Sequence, residues 1–338
     1  MNIAVDAMGG DHAPAVVVQG ALQAVIELGI DITLVGDNKI LSKEIDSKVS
    51  SGHITLHHCK EAVQMGEPPL KAIRQKTDSS IRVAFELAKK GTVDAVVSAG
   101  NSGATLAAGI MTLGRISGVE RPAIASLLPG ENGPVVLIDV GANVNCRPAH
   151  LFQFGVMANA FASSCLGIEN PKIGLLSVGE EECKGNEQVR LAYELFEKSK
   201  LNFFGNVEGR DIFSGDVEII VCDGFVGNVA LKLSEGMVKI MTKLLTMELM
   251  KSVLGRTLLL LGRGPFERFR KKFDYEEYGG APLLGINGVG IVCHGGSSAR
   301  AIKNAIKLAA VYVENRVLEK MVVSLNTVSG SMSHADTA

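Results

Sequence analysis

The stretch AVVSAGNSGAT, residues 95–105, decides the fold, because a buried strand, a glycine-rich corner and the start of a helix follow one another within it. Ala95–Ala99 is short, apolar and uncharged, as expected for a strand that is covered on both faces. The corner Gly100–Gly103 allows a sharp turn and a close approach of the backbone. Ala104–Leu113 is then predicted to be a helix. This order predicts one unit of a doubly wound α/β sheet.

The same arrangement recurs at three further corners, Asp6–Pro14, Asp139–Asn143 and Cys222–Asn228. At each of them a short apolar run ends in small residues, and a helix-like segment follows. The N–H groups that open a helix attract anions. Ligands of open α/β sheets bind beyond the carboxyl ends of the strands. We therefore expect the corners to meet at one edge of a parallel sheet, in a cleft that accepts phosphate or carboxylate groups.

The rest of the chain continues the alternation of strands and helices. A long helical region is predicted from Val229 to about Val253, and a last helix from Ser298 to Glu319. The alternation predicts a single, doubly wound and mostly parallel α/β domain over residues 1–325. A protruding helical arm, inserted at about 236–275, is also predicted. The Ser-rich stretch 326–338 is predicted to be a polar, flexible tail.

Composition limits the function classes. The 338-residue chain is 46% hydrophobic and has a net charge of −2, which indicates a globular protein with no general bias toward nucleic acid. No two of its six cysteines have the spacing of a zinc knuckle. Asp6 lies in the first apolar run, and no basic segment precedes it, so no signal peptide is predicted. Together these features favour a reduced, cytoplasmic protein.

Eight motifs, in order, carry a resemblance to a known family. Each is weak alone, but the ordered set is specific and spans about residues 1–320. The motifs are DAMGGDHAP (6–14), SAGNSGA (98–104), RPAI (121–124), DVGAN (139–143), GEEECKGN (179–186), DGFVGNV (223–229), YGGAPLLGI (278–286) and HG (294–295). In this set the chain resembles the bacterial phosphate acyltransferases of the PlsX family.

The resemblance implies transfer of a long-chain fatty acyl group from acyl carrier protein to inorganic phosphate. The acyl phosphate product feeds glycerophospholipid synthesis. The resemblance also implies a homodimer and a Rossmann-like fold similar to that of isocitrate and isopropylmalate dehydrogenases. Because phosphate is itself the nucleophile, neither a protein nucleophile nor a cofactor is expected. Accordingly, the chain's G-x-x-G arrays lack the spacing of a dinucleotide fingerprint.

Lys184 and Asn228 are the predicted catalytic residues. Lys184 follows three glutamates, and such a lysine is usually solvated and paired with a neighbouring acid. The resemblance instead places it in the active site, where a point charge would stabilise the phosphate and the developing negative charge. The amide of Asn228 could donate to the thioester oxygen or to phosphate, whereas a structural role would be to cap a helix that begins near Val229.

The remaining predicted site residues bind substrate or shape the corners. We expect the Gly100–Gly103 turn, with the Ser102 hydroxyl, to hold the phosphate, although such turns often serve packing alone. His12 is expected to position a hydrogen bond rather than to act as a base. The predicted substrate-binding residues are Asp6, Gly9, Gly10, Asp11, His12, Gly100, Asn101, Ser102, Gly103, Asp139, Asn143, Gly179, Asp223, Gly227 and His294.

No metal site is predicted. His53, His57 and His58 lie in a segment that is predicted to be a strand. Their exposure to solvent at an edge of the sheet accounts for three histidines so close together without a metal. Asp6, Asp139 and Asp223 end three strands and could hold Mg²⁺. A metal would, however, attenuate a bare phosphate nucleophile, so none is expected to be required.

The arm combines apolar and basic residues. Leu258, Leu259, Leu260 and Leu261 stand in a run that precedes several arginines and lysines. This composition favours contact with a membrane surface or with an acidic partner such as acyl carrier protein. Packing in a dimer is the structural alternative. We expect both: paired helices, and an exposed leucine tip that binds the membrane peripherally.

The residues alone are also compatible with three other functions. A phosphotransacetylase would use short acyl-CoA, and a decarboxylating dehydrogenase of related fold would use NAD and a metal. A non-catalytic regulator would bind acyl carrier protein without consuming its thioester. The leucine-rich region favours long acyl chains, and the polar corners favour an enzyme.

Overall fold

A computed structural model describes residues 1–45, 52–262, 264 and 275–335, with the side chains of 258–261, 275 and 328–335 outside that description. The sequence forms a mixed sheet flanked by helices. The described strands are β1 Asn2–Asp6, β2 Asp31–Gly36, β3 Ile54–His58, β4 Ala95–Ser98, β5 Ala123–Gly130, β6 Gly133–Ile138, β7 Ile173–Leu176, β8 Phe203–Val207, β9 Ile219–Val221, β10 Ala281–Leu284 and β11 Gly290–Val292.

Helices alternate with these strands, as the sequence predicts. Those described are α1 Ala15–Leu28, α2 Asn38–Glu44, α3 Pro69–Gln75, α4 Ser80–Lys89, α5 Ser102–Leu113, α6 Pro148–Cys165, α7 Glu187–Glu197, α8 Gly224–Met250, α9 Val253–Leu261, α10 Ala299–Glu314 and α11 Val317–Ala335. The single helix predicted over 298–319 is thus two helices, separated at Arg316, whose φ is +51°. The second of them runs into the stretch predicted as a tail.

The strand order is β3-β2-β1-β4-β11-β10-β5-β6-β9-β7-β8, and most neighbouring strands pair in parallel. The mostly parallel sheet is therefore confirmed. The expectation that all corners meet at one edge of it is wrong, because β10 and β5 pair antiparallel with each other and with their outer neighbours. As a result β6, β9 and β7 run opposite to β1, β4 and β11.

Two apolar layers cover the sheet. On one face α1, α6, α10 and α11 pack over alternate strand residues such as Val5, Val97 and Ile138. The strand residues that alternate with these, such as Val96 and Leu137, lie on the other face of the sheet. There they pack against α4, α5 and the start of α8. Between α5 and α8 this second layer is open above the central strands. The candidate site lies in this gap between the helices and not at an edge of the sheet.

Helix α8 is long and little buried. Only Gly224 and Gly227, in its first turn, are buried, whereas Leu233, Met237, Met241 and Leu244 are exposed. The predicted arm therefore starts within a helix that already begins on the sheet. Within the described residues, no helix has the length and apolarity needed to cross a bilayer. The predicted membrane contacts, the side chains of Leu258–Leu261, lie outside the described part.

Candidate active site

A cavity of about 280 Å³ occupies the gap between α5 and α8. Its floor is formed by residues of the central strands, including Ile124, Ser126 and Ala281. Three predicted site residues line it: Ser102 at the start of α5, Asn228 on α8 and His294 after β11. The structure thus brings together residues from oppositely directed halves of the sheet.

The other predicted site residues do not line this cavity. Several members of this group hold the loops that form the rim of the cavity. This group comprises Asp6, Gly9, Gly10, Asp11, His12, Gly100, Asn101, Gly103, Asp139, Asn143, Gly179, Lys184, Asp223 and Gly227.

The corner after β4 is fixed by Asn101, which caps α5. Its Oδ1 accepts a hydrogen bond from the Ala104 N–H at 3.0 Å. Its Nδ2 donates to the carbonyl groups of Met65 at 2.8 Å and Glu67 at 3.2 Å. The Asn101 amide is therefore used within the protein. Ser102 and the N–H groups of the first helical turn are the groups of this corner with the chemistry to bind an anion.

Asp6 supports that corner from behind. Its carboxylate is buried and accepts a hydrogen bond from the Ser98 hydroxyl at 2.7 Å, and Ser98 Oγ accepts one from the Gly100 N–H at 3.0 Å. Burial raises the pKa of Asp6, while the hydrogen bonds from Ser98 and the Met8 N–H oppose the rise. Asp6 thus orients the Gly-rich turn and does not face the cavity.

The first corner and the last strand lie against each other. The Asp11 N–H donates to the Gly295 carbonyl at 2.8 Å, and His294 Nδ1 accepts from the Gly296 N–H at 3.1 Å. Gly10 has a φ of +115° beside Ala99 and Gly295. A side chain would be strained there, so glycine is required. His12 is exposed.

Asp139 organises the opposite rim. Its two carboxylate oxygens accept hydrogen bonds from the backbone N–H groups of Ile124, Gly141, Ala142 and Asn143 at 2.7–3.2 Å, and from Asn143 Nδ2 at 2.9 Å. Burial raises the pKa of Asp139, and these N–H donors oppose the rise by stabilising the carboxylate. The carboxylate therefore fixes a loop whose Gly141 and Val144 line the cavity.

Helix α8 begins five residues earlier than the sequence predicts. Its N-cap is Asp223, whose Oδ1 accepts hydrogen bonds from the N–H groups of Phe225 at 2.9 Å and Val226 at 3.0 Å. Asn228 therefore lies inside the helix, and the alternative in which it caps α8 is wrong. Its exposed side chain lines the cavity instead.

Lys184 lies on the loop between β7 and α7, away from the cavity wall. Its backbone N–H donates to the Glu181 carbonyl at 2.9 Å, and its stem packs on the buried Gly179. Glu180 pairs with Arg210 at 3.0 Å. Lys184 itself is exposed and forms no ion pair with any described residue. In the described structure Lys184 has the exposure of the sequence alternative but not its pairing with a neighbouring glutamate.

A second lysine, not predicted from the sequence, lines the cavity. Lys232 lines the cavity one helical turn after Asn228 and pairs with Glu235 at 2.9 Å. Spacing of three or four residues places Asn228, Lys232 and Glu235 on one face of α8. With the helix start placed correctly, this spacing could have identified Lys232.

No group of three or more histidine, cysteine, aspartate or glutamate side chains with metal-binding geometry occurs among the described residues. His57 and His58 are exposed on the edge strand β3, and His53 pairs with Asp31 at 2.6 Å. The solvated edge predicted for these histidines is observed. All six cysteines are unpaired thiols.

Comparison with known proteins agrees with the fold and with the motifs. A structure of a phosphotransacetylase from Streptococcus pyogenes superposes with a TM-score of 0.64 at 18% identity, over 93% of this chain and 94% of that one. At this identity the likeness concerns the fold alone. The mixed sheet and its flanking helices therefore have the same α/β fold as that structure.

Proteins related by sequence are much more similar to this chain than that structure is. The phosphate acyltransferase of Trichlorobacter lovleyi is 52% identical over 98% of this chain and 96% of its own length. That of Pelobacter propionicus is 53% identical over 96% and 94%. The sequence profile of the family described as "Fatty acid synthesis protein" matches residues 1–320. This chain therefore belongs to that family, the phosphate acyltransferases also known as PlsX.

Proposed function

We propose that this protein transfers a long-chain fatty acyl group from acyl carrier protein to inorganic phosphate and supplies acyl phosphate for glycerophospholipid synthesis. The observation that carries the proposal is the shared cavity of Ser102, Asn228 and His294 at the N-terminus of α5. Family membership supports acyl transfer to phosphate, because relatives identical at half of all positions are named phosphate acyltransferases.

In the proposed reaction a phosphate oxygen attacks the thioester carbon, and the carbon–sulfur bond breaks. The thiolate leaves on the carrier and takes up a proton from solvent. The N–H groups at the start of α5 and the Ser102 hydroxyl would hold the phosphate. The Asn228 amide would donate to the thioester oxygen as negative charge develops on it.

Two lysines would supply positive charge to this step. Lys232 lies in the cavity wall, whereas Lys184 is exposed on the loop between β7 and α7. A lysine at a phosphate site acts as a flexible point charge, so an exposed lysine without an ion-pair partner is free to reach the substrate. The absence of a competing ion pair on Lys184 among the described residues supports this role.

The direct test is to incubate the purified protein with acyl-acyl carrier protein and phosphate and to search for acyl phosphate by mass spectrometry. A parallel reaction with acyl-CoA tests the phosphotransacetylase alternative. Acyl phosphate from the carrier thioester alone supports the proposal. Binding of the carrier with no thioester consumed would instead favour a non-catalytic regulator.

We further propose that the protein is a homodimer and binds membranes peripherally. The exposed face of α8, which includes Leu233, Met237 and Met241, is an apolar surface suited to a second copy. The run Leu258–Leu261 would contact the lipid. Sedimentation of the Met237→Glu variant tests the first proposal, and liposome flotation of a Leu258→Glu, Leu259→Glu variant tests the second. A dimer that survives the first change, or equal flotation after the second, would contradict the respective proposal.

A further inference from the structure

A second, larger cavity lies beside the first. It has a volume of about 490 Å³ and is bordered by α8 on one side and by Leu127, Leu128, Pro129 and Phe213 on the other. Small-molecule sites usually measure about 300–1,000 Å³ and are mainly apolar. The cavity is therefore of the size and character of a ligand site.

The two cavities adjoin each other. Leu127, Leu231 and Glu235 contribute to the walls of both. Glu235 is largely buried at this junction and is held by its ion pair with Lys232. A molecule with a polar head beside Asn228 and an apolar body would thus extend from the first cavity toward the second.

The wall that α8 presents is less polar than its sequence suggests. The Ser234 hydroxyl donates to the Ala230 carbonyl at 2.8 Å, and the Thr246 hydroxyl donates to the Thr242 carbonyl at 2.8 Å. These hydroxyl groups are satisfied by their own helix, which leaves carbon atoms to line the space. Lys239 and Lys243 are exposed, so their stems can cover apolar surface while their charges stay in water.

The cavity is also elongated. Its lining residues follow successive turns of α8 from Leu231 to Met247. At about 1.5 Å per residue this stretch is roughly 24 Å long. A long fatty chain can extend along such a path, whereas an acyl group of two to four carbons would leave most of it unused.

We propose that this cavity holds the fatty chain of the acyl donor, with the thioester at the junction beside Asn228. The inference rests on the function proposed above and assigns the acyl chain to a specific place. A second copy of the chain is a less suitable occupant, because the more apolar face of α8, with Leu233 and Met241, is directed away from the cavity and is exposed.

Filling the cavity at Thr242 tests the proposal. Thr242→Trp should shorten the space, and Thr242→Val, which keeps the volume, is the matched control. With palmitoyl-acyl carrier protein we expect kcat/KM of the Trp variant to fall by about tenfold or more, because every excluded methylene forfeits burial. With a butyryl donor, and for the KM of phosphate, we expect wild-type values. Equal effects on both donors, or none on either, would overturn the assignment.

A measurement on the wild-type protein makes the test independent of how the variant folds. A palmitoyl donor with a terminal diazirine is bound, irradiated and mapped by peptide mass spectrometry. Labels on Phe213 or Met247 support the proposal, and labels confined to other parts of the chain refute it. If the wild type forms no acyl phosphate, the proposed function fails, whereas normal turnover with labels elsewhere refutes only the position of the chain.

Discussion

Gly227, in the first turn of α8, packs directly on the carbonyl oxygen of Asp139, and a Cβ atom at position 227 would overlap that oxygen. Both groups are buried, and the Asp139 backbone is fixed by the hydrogen bonds of its own carboxylate. The position of α8, and with it that of Asn228, therefore depends on the absence of a side chain at 227.

Gly227→Ala is expected to displace the start of α8 and to cost about 1–3 kcal/mol of stability, as overpacking typically does. Because Asn228 is the next residue, turnover should fall as well. Gly236→Ala is the control, since no atom lies within 4 Å of a Cβ at that exposed position of the same helix. There, alanine should stabilise the helix by up to about 1 kcal/mol. Urea unfolding and kcat are the measurements, and equal stabilities of the two variants would contradict the packing argument.

Substitutions at Asp223 and at Asn228 should have different effects, the first on stability and the second on turnover. Asp223→Ala removes the cap of α8 and should cost about 1 kcal/mol. Asn228→Ala removes no cap, so its melting temperature should equal that of the wild type, while loss of an oxyanion donor should lower kcat by about 10²–10³. Thermal unfolding and acyl phosphate formation are measured on both proteins. A destabilised Asn228→Ala variant with normal kcat would refute the catalytic role.

The strand–corner–helix units could be predicted from the sequence because each depends on local chemistry. Buried aliphatic runs such as Ala95–Ala99 give strands, and glycines mark the turns that follow. The reversal of direction at β10 and β5 could not be predicted, since it depends on which strands pair over long sequence separations. That pairing explains why the corners surround a gap between helices instead of an edge.

The site was predictable in part for similar reasons. Ser102, Asn228 and His294 line the cavity and stand in motifs that the local pattern and the family resemblance both single out. The cap of α8 was ambiguous because Asp223 and Asn228 are both favoured capping residues. Lys232 resembles any charged residue on a solvated helix face, and only its place in the cavity wall reveals its position.

The cluster of His150, Glu120 and Arg147 should make stability depend on pH. His150 is buried, its Nδ1 accepts from the Arg147 N–H at 3.0 Å, and its Nε2 lies 3.0 Å from Glu120 Oε2. Burial lowers the pKa of His150 below its usual 6.5, although Glu120 opposes the change. A proton on Nδ1 would also face the Arg147 N–H. We therefore expect His150 to be neutral in the folded state near pH 7.

Between the lowered pKa and 6.5 the unfolded chain binds more protons than the folded one, so stability rises with pH in this window. The contribution of neutral His150 to folding stability is complete above the pKa that the residue has in the unfolded chain. It is lost as the pH falls toward the lowered pKa of the folded state. Wild-type protein should lose more stability from about pH 7.5 to 5.5 than His150→Gln, by up to about 1.4 kcal/mol per unit of pKa shift. Urea unfolding at the two pH values measures this. Parallel losses in both proteins would contradict a neutral, buried His150.

Lys184 and Lys232 should differ in what they contribute to phosphate use. Lys232 lies in the cavity wall and pairs with Glu235, so Lys232→Ala should raise the KM of phosphate and leave Glu235 without its partner. Lys184 has no ion pair with a described residue, so Lys184→Ala should leave the melting temperature unchanged and lower kcat/KM for phosphate by about 10² or more.

The matched control is Lys198→Ala, which removes an exposed lysine that pairs with Glu194 on α7. Exposed pairs of this kind contribute at most about 1 kcal/mol, so this variant should retain wild-type kinetics and nearly wild-type stability. Steady-state rates over a range of phosphate concentrations distinguish the three variants. If Lys184→Ala behaves like Lys198→Ala while Lys232→Ala loses phosphate affinity, the cation of the site is on α8 and the assignment of Lys184 is wrong.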